Sequence, residues 1–181
     1  MNNTPSLNYY VLQVKTRKEE KFIRQVKMRN PETPICLHFP KRALDIRRGG
    51  RIKPSQLAIF PGYVFLELSE DEDISRYLWI FRKTEGFYRF LKSNYDIAPL
   101  KNRDLQIILH FIKTVGPVAG KSKVYFDENS RIIVLAGPLC GLEGKIIKVD
   151  KRKRRAKIKL DLYNDSFCID LAFEVIEKVR E

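Results

Sequence analysis

Histidine is nearly absent from this chain: His38 and His110 are the only two in 181 residues. Neither stands in an HxxxH or HExxH arrangement, and no Cys/His cluster has metal-ligand spacing. Cysteine is scarce as well. Cys36, Cys140 and Cys168 form no CxxC, and an odd count cannot close into a fully paired disulfide framework. Each lies among apolar or glycine residues, so buried free thiols in a reducing compartment are expected. No serine sits in a GxSxG setting, and no glycine run matches GxxxxGK(S/T) or GxGxxG. Catalysis by nucleophile, zinc or nucleotide cofactor lacks its usual carriers. The chain therefore reads as a non-enzyme, with no catalytic residue, metal ligand or cofactor expected. No run of 18 apolar residues occurs, so no helical membrane span is expected. The stretch from Met1 to Asn8 is polar and lacks an apolar leader segment, which makes the cytoplasm the expected compartment.

Positive charge is what the chain has in excess. Lys and Arg number 35 against 22 Asp and Glu, a formal net charge of +13. Such an excess attracts polyanions, chiefly nucleic acid. It is spread over the whole length, so a basic tail on a neutral body is excluded. With 44% of residues apolar, there is enough material for a packed core.

Hydrophobic periodicity divides the chain in two. Tyr9–Val14 alternates and reads as a strand. Thr16-Arg17-Lys18-Glu19 has the form of a capping box opening a helix, which carries Phe22, Ile23 and Val26 on one face and stops at Asn30-Pro31. Ile35, Leu37 and Phe39 mark a second strand running on towards Leu44 and Ile46, followed by a glycine turn at 47–51. A strong strand follows Pro61-Gly62, which cannot itself join a ladder at the proline. A helix is expected over Ser69–Arg82, a strand over Phe87–Leu91, and a last helix through Leu105, Ile108, Ile112 and Val115 to Gly116-Pro117. The order βαββαβα over residues 7–115 predicts an α+β domain with an antiparallel sheet and helices on one face. Residues 116–127 show no period and read as a linker. Beyond it, five short strands over 128–180 (Arg131–Ala136, Lys145–Asp150, Arg155–Tyr163, Phe167–Leu171 and Val175–Val179) predict a small β-barrel.

Two groups of side chains are candidates for binding. The aromatics Tyr9, Tyr10, Phe60, Tyr63, Phe65 and Trp79 gather around the first domain's strands and second helix. They suit base stacking, a landing site for a partner helix, or ordinary core packing. The second group is basic. In Arg155–Leu162 every other residue is apolar, so Ala156, Ile158, Leu160 and Leu162 face inward and Arg155, Lys157 and Lys159 outward. The turn Lys151-Arg152-Lys153-Arg154 prolongs that strip, with Lys148 just before it. A phosphate track and a solvated, salt-screened hairpin are both compatible with it. The turn carrying Arg47, Arg48, Arg51 and Lys53 is a second such candidate.

Four runs carry a resemblance. Tyr9–Thr16 followed by Lys18–Lys21 resembles the opening of a NusG amino-terminal domain, and Phe60-Pro61-Gly62-Tyr63-Val64-Phe65 that domain's most typical run. Gly86–Leu91, with Pro99-Leu100 after it, is similar to the next landmark, and Ile132–Ile146 resembles a KOW motif. The resemblance implies a ferredoxin-like or RNP-like first domain that binds the clamp helices of RNA polymerase. It also implies an SH3-like KOW barrel and a monomeric factor that suppresses pausing. It makes Tyr10, Phe60, Pro61, Gly62, Tyr63 and Trp79 the polymerase-contact candidates. Tyr163-Asn164-Asp165 stands where housekeeping members commonly carry Phe-Gly-Arg, and Leu139-Cys140 where they carry a loop aromatic. These departures point away from ordinary coupling to a ribosomal protein or termination factor. The basic run Lys151–Arg155, with Gly137-Pro138-Leu139 and Leu142-Glu143-Gly144, is similar to the specialised LoaP paralogues. That likeness implies an antiterminator recruited by a nascent RNA hairpin, with non-template DNA as a further partner. A stand-alone RNA-binding or ribosome-associated KOW protein, and a general elongation factor without RNA specificity, are the alternatives.

Overall fold

The computed structural model describes residues 6–91, 95–162 and 165–176, with the backbone alone at position 48. Along them run β1 (Leu7–Val14), α1 (Glu19–Arg29), β2 (Cys36–His38), β3 (Lys41–Arg48), β4 (Arg51–Ala58), β5 (Tyr63–Ser69), α2 (Leu78–Arg82), β6 (Phe87–Phe90) and α3 (Asn102–Leu109). Then follow β7 (Val118–Ala119), β8 (Ser122–Phe126), β9 (Ile132–Ala136), β10 (Ile146–Asp150), β11 (Arg155–Leu162) and β12 (Asp165–Val175). The chain is α+β, as expected, and gathers into two compact units: Met1–Phe39 with Phe60–Leu105, and Pro40–Ile59 with Gln106–Glu181.

The first unit is built on an antiparallel sheet in the order β2-β5-β1-β6. Without β3 and β4, its elements keep the expected βαββαβα order. Strand alternation sends Tyr10, Leu12, Val14, Val64, Leu66 and Leu68 to one face, where they form a core with Phe22 and Val26 of α1 and Ile80 and Phe81 of α2. The capping box does not form: the cap residue is Lys18, whose ammonium offers no acceptor, and Glu19 takes the Gly62 N–H instead. At the other end Asn30 Nδ2 donates to the Val26 carbonyl at 2.9 Å, and Pro31 follows. The helix expected over Ser69–Arg82 is broken. Ser69 ends β5, its N–H donating to Glu72 at 2.9 Å. Asp73 takes the Ser75 N–H at 2.9 Å, opening a single 3-10 turn at Ile74–Arg76. These carboxylates capture the backbone donors that a longer helix would have left free, so α2 begins only at Leu78.

In the second unit, β3 and β4 form a hairpin paired from Lys41↔Ala58 to Arg48↔Arg51. Its two-residue turn is Gly49-Gly50, with φ of 55° and 76°, as a type I′ turn requires. The continuous strand expected from Ile35 to Ile46 is thus two strands in different sheets, parted at Phe39-Pro40. β4 has no counterpart among the expected strands, because Arg51–Gln56 is largely polar and contains Pro54; it is an exposed strand that buries little.

A curled five-stranded sheet in the order β10-β11-β12-β8-β9 completes this unit. The stretch 116–127, expected as a linker, instead supplies β7 and β8. The fourth expected strand is longer than Phe167–Leu171: β12 runs unbroken from Asp165 to Val175, where Glu174 and Val175 pair parallel with Lys123 and Val124 of β8. The end of the expected fifth strand, 177–179, lies outside the described residues. Leu139, Ala156, Ile158, Leu160, Leu171 and Phe173 are buried in this unit's core.

A candidate nucleic-acid interface and a rigid Pro-Gly turn

Phe60-Pro61-Gly62-Tyr63 is a tight turn. The Tyr63 N–H donates to the Phe60 carbonyl at 3.2 Å, and Gly62 has φ of +86°, the geometry of a type II turn with proline and glycine in its central positions. Three contacts hold it. The Gly62 N–H donates to Glu19 Oε1 at 2.7 Å, the Val14 N–H donates to the Gly62 carbonyl at 2.8 Å, and the Phe60 ring meets Phe65 edge-on at 5.6 Å. A Cβ on Gly62 would stand 2.9 Å from Thr16 Oγ1. Thr16 and Glu19, the two ends of the expected capping box, therefore serve this turn instead of the helix.

Tyr63–Leu66 of β5 are buried without a break, so both faces of that strand are covered, and of the three readings of its aromatics core packing is the one this burial fits. Phe60 is 0% exposed, and Tyr9, Tyr10, Gly62 and Tyr63 are buried with it. Burial, and then the Asp73 charge, raises the Tyr10 pKa above its ordinary value. Among the six polymerase-contact candidates only Pro61 and Trp79 are accessible, Trp79 at 54% with Lys83 Nζ 5.6 Å from its ring centre.

The basic candidates behave differently. β11 alternates as expected, with Ala156, Ile158, Leu160 and Leu162 buried and the basic side chains outward. Pairing then sets Lys157 directly opposite Lys148 on one side and Asp170 on the other, with Arg155 opposite Asp150. Lys148, Asp150, Lys153, Arg155, Lys157 and Asp170 line one shallow cavity of about 130 Å³. Like charges facing each other across strands are destabilising unless something negative lies between them. Asp150 cannot neutralise the site alone: its carboxyl accepts the Lys153 N–H at 2.9 Å, and this bond, helped by the Lys153, Arg152 and Lys148 charges, holds it below the usual carboxylate range. Arg152 and Arg154 are exposed beside the cavity, while Lys151 Nζ lies 4.2 Å from the Phe126 ring centre.

The other basic turn belongs to the same unit. Arg47, Arg51 and Lys53 lie exposed at the end of the β3–β4 hairpin, and the Arg48 side chain lies outside the described residues. Arg155 donates through its guanidinium to the Asp45 carbonyl, and Arg42 Nη1 to the Asp170 carbonyl at 3.1 Å. Burial lowers the Arg42 pKa, partly offset by Asp170. These backbone acceptors leave no trace in the sequence, because nothing local marks a carbonyl that takes a guanidinium from a distant part of the chain.

The three cysteines are free but exposed, which corrects the expected buried thiols. Cys36 and Cys168 alternate with Ile35, Leu37 and Ile169, and those apolar neighbours take the inward positions. His110 Nε2 lies 2.9 Å from the Pro138 carbonyl and donates to it.

Comparison with known proteins gives one consistent result. The family model described as "Transcription termination factor nusG" matches residues 7–109. The chain is 25% identical over 183 residues to the "Transcription termination/antitermination protein NusG" of Buchnera aphidicola, covering 98% of this chain and 99% of that protein. It is 24% identical to the protein of the same description from Escherichia coli K12, with the same coverage. A solved structure described as "Domain interaction in Thermotoga maritima NusG" shares the fold at a TM-score of 0.58 and 18% identity, over 92% of this chain and 94% of that one.

Proposed function

This chain belongs to the NusG family, and from that premise we propose that it is a specialised antitermination factor recruited to elongating RNA polymerase by structured nascent RNA. Membership places it among transcription elongation and antitermination proteins, whose named relatives span its whole length. The observation that carries the RNA reading is the Lys148–Lys157 opposition. A cavity that sets Lys148, Lys153, Arg155 and Lys157 against Asp150 and Asp170 keeps an excess of positive charge that an incoming phosphate offsets. The exposed Arg152 and Arg154 extend it, and the hairpin basic residues Arg47, Arg51 and Lys53 provide a second contact. Phosphate contacts of this type position the RNA; hairpin selectivity comes from its shape.

Polymerase docking is assigned to the first unit. Pro61 and Trp79 are its accessible anchors. Phe60, Gly62 and Tyr63 act beneath the surface by fixing the turn that presents Pro61. Two modest contacts, one to polymerase and one to RNA, combine through effective concentration.

The test is binding of the purified chain to a library of structured leader RNAs across a salt series, followed by transcription read-through on the selected template. Capture of one hairpin, with affinity that falls with salt and with alanine at Lys148 and Lys157, supports the proposal. Equal weak binding to every RNA, with read-through unaffected by the RNA, sinks the specialised reading and leaves a general elongation factor. Tight hairpin binding without any effect on polymerase identifies a stand-alone RNA-binding protein instead.

A further inference from the structure

β2 is a three-residue edge strand, and its two outer residues are a thiol and an imidazole. Cys36 and His38 are two positions apart, so they project from the same face of the sheet. The register places Glu67 of β5 opposite Cys36, and Tyr9 of β1 opposite Glu67. A row of thiol, carboxylate and phenol thus crosses three strands, with the imidazole next to it.

The side chains converge on one nitrogen. His38 Nε2 lies 3.4 Å from Cys36 Sγ and 3.0 Å from Glu67 Oε2, and Tyr9 Oη donates to the same Glu67 oxygen at 2.8 Å. One ligand atom from each of Cys36, His38 and Glu67 fits within 4.8 Å of the others. A tetrahedral ion with ordinary zinc bond lengths holds its sulfur and nitrogen ligands about 3.5 Å apart and its nitrogen and oxygen ligands about 3.3 Å apart. The two spacings to His38 Nε2 lie within a few tenths of an ångström of these. Side-chain exposures of 24% for His38 and 16% for Glu67, with Cys36 exposed, leave an entry path.

We propose that Cys36, His38 and Glu67 form a binding site for a divalent cation of the zinc class. This departs from the expectation of no metal ligand. The donor set of thiolate, imidazole and carboxylate is of intermediate softness and favours zinc over magnesium or calcium. Three protein ligands leave a fourth position for water. On binding, the Cys36 thiol releases its proton to solvent and the sulfur lone pair goes to the ion. His38 binds through Nε2 and carries its proton on Nδ1. The Tyr9 hydroxyl, bonded to Glu67, orients the carboxylate from outside. The ion ties the short edge strand to β5, with which it pairs over three residues.

The test uses the full chain without an affinity tag, reduced and stripped by chelator, then titrated anaerobically with cobalt(II) as the spectroscopic stand-in. Expected are one equivalent bound, a thiolate-to-cobalt band in the near ultraviolet, and displacement by zinc. Cys36→Ser abolishes the band and Cys140→Ser leaves it. His38→Gln and Glu67→Gln each weaken binding by more than about tenfold. Circular dichroism confirms that each variant is folded; the wild-type titration stands by itself if one is not. Absence of binding by the wild type, or a band that survives Cys36→Ser, overturns the proposal.

Discussion

Glu19 reaches from the first turn of α1 to accept the Gly62 N–H at 2.7 Å, while only 4% exposed itself. One buried carboxylate thus ties the start of a helix to the turn that opens β5. Glu19→Ala strands a buried N–H and is expected to cost about 1–3 kcal/mol in urea unfolding. Glu19→Gln keeps an acceptor oxygen and should cost clearly less. Equal losses in the two variants would show that the bond itself contributes little.

Gly62 is constrained twice, by its φ of +86° and by the 2.9 Å approach of Thr16 Oγ1 to any added Cβ. Gly62→Ala should destabilise by about 1–3 kcal/mol. Thr16→Ala removes the crowding but not the backbone strain, so the double variant should recover only part of the loss. Full recovery in a double-mutant cycle would exclude the strain component.

Gly137 has the same character beside β8. Its φ is +95°, and a Cβ there would lie 2.8 Å from the Ser122 Cα, which is backbone and cannot swing aside. Ser122 Oγ accepts the Leu139 N–H at 2.9 Å, closing the turn. Gly137→Ala should be worse tolerated than Gly62→Ala, with a larger fall in thermal midpoint.

Lys148 and Lys157 should show opposite signs in stability and binding. Lys148→Ala relieves repulsion across the strands and should stabilise by a few tenths of a kcal/mol. The same change should weaken RNA binding and reduce the salt slope by about 0.7 for each phosphate that is no longer neutralised. A variant that loses stability and keeps its RNA affinity would refute the phosphate site.

The Tyr77 hydroxyl donates to Glu72 and is the main reason that its carboxyl titrates below the ordinary range, ahead of the Ser69 N–H. A depressed folded pKa contributes stability that is complete above the unfolded carboxylate pKa and is lost as pH falls through the folded value. Tyr77→Phe should raise the Glu72 pKa in an NMR titration. The stability gap between wild type and variant should be widest near neutrality and close in acid, staying below about 1 kcal/mol because Glu72 faces solvent.

Legibility follows locality. β1, α1 and β11 are readable because their apolar periods match the faces they bury, and β5 because its apolar run is continuous. Where carboxylates take up local backbone donors, as Glu72 and Asp73 do, a helical period overstates the helix. β4 escapes because an exposed strand with Pro54 has no apolar alternation to read. At the candidate sites, the basic strip is visible residue by residue, but its pairing with Asp150 and Asp170 depends on register. The aromatics could be read as exposed or as core, and burial of Tyr9, Tyr10, Phe60, Tyr63 and Phe65 decides it, because a sequence does not reveal that a strand is covered on both faces. Cys36 and His38 look inert in the sequence because Glu67, their third member, is supplied by another strand.

The β3–β4 hairpin has a consequence for synthesis. Arg42 finds its acceptor 128 positions later, at Asp170. At translation rates of about 5–20 residues per second, the hairpin waits roughly 6–25 s on the ribosome before that strand emerges. A lone two-stranded ribbon is at best marginally stable in water. The first unit's sheet is complete once β6 has been made, whereas the second unit, though it begins at Pro40, can close only after β12 has emerged. β12 therefore acts as the late-arriving half of a structure whose first half was translated long before it.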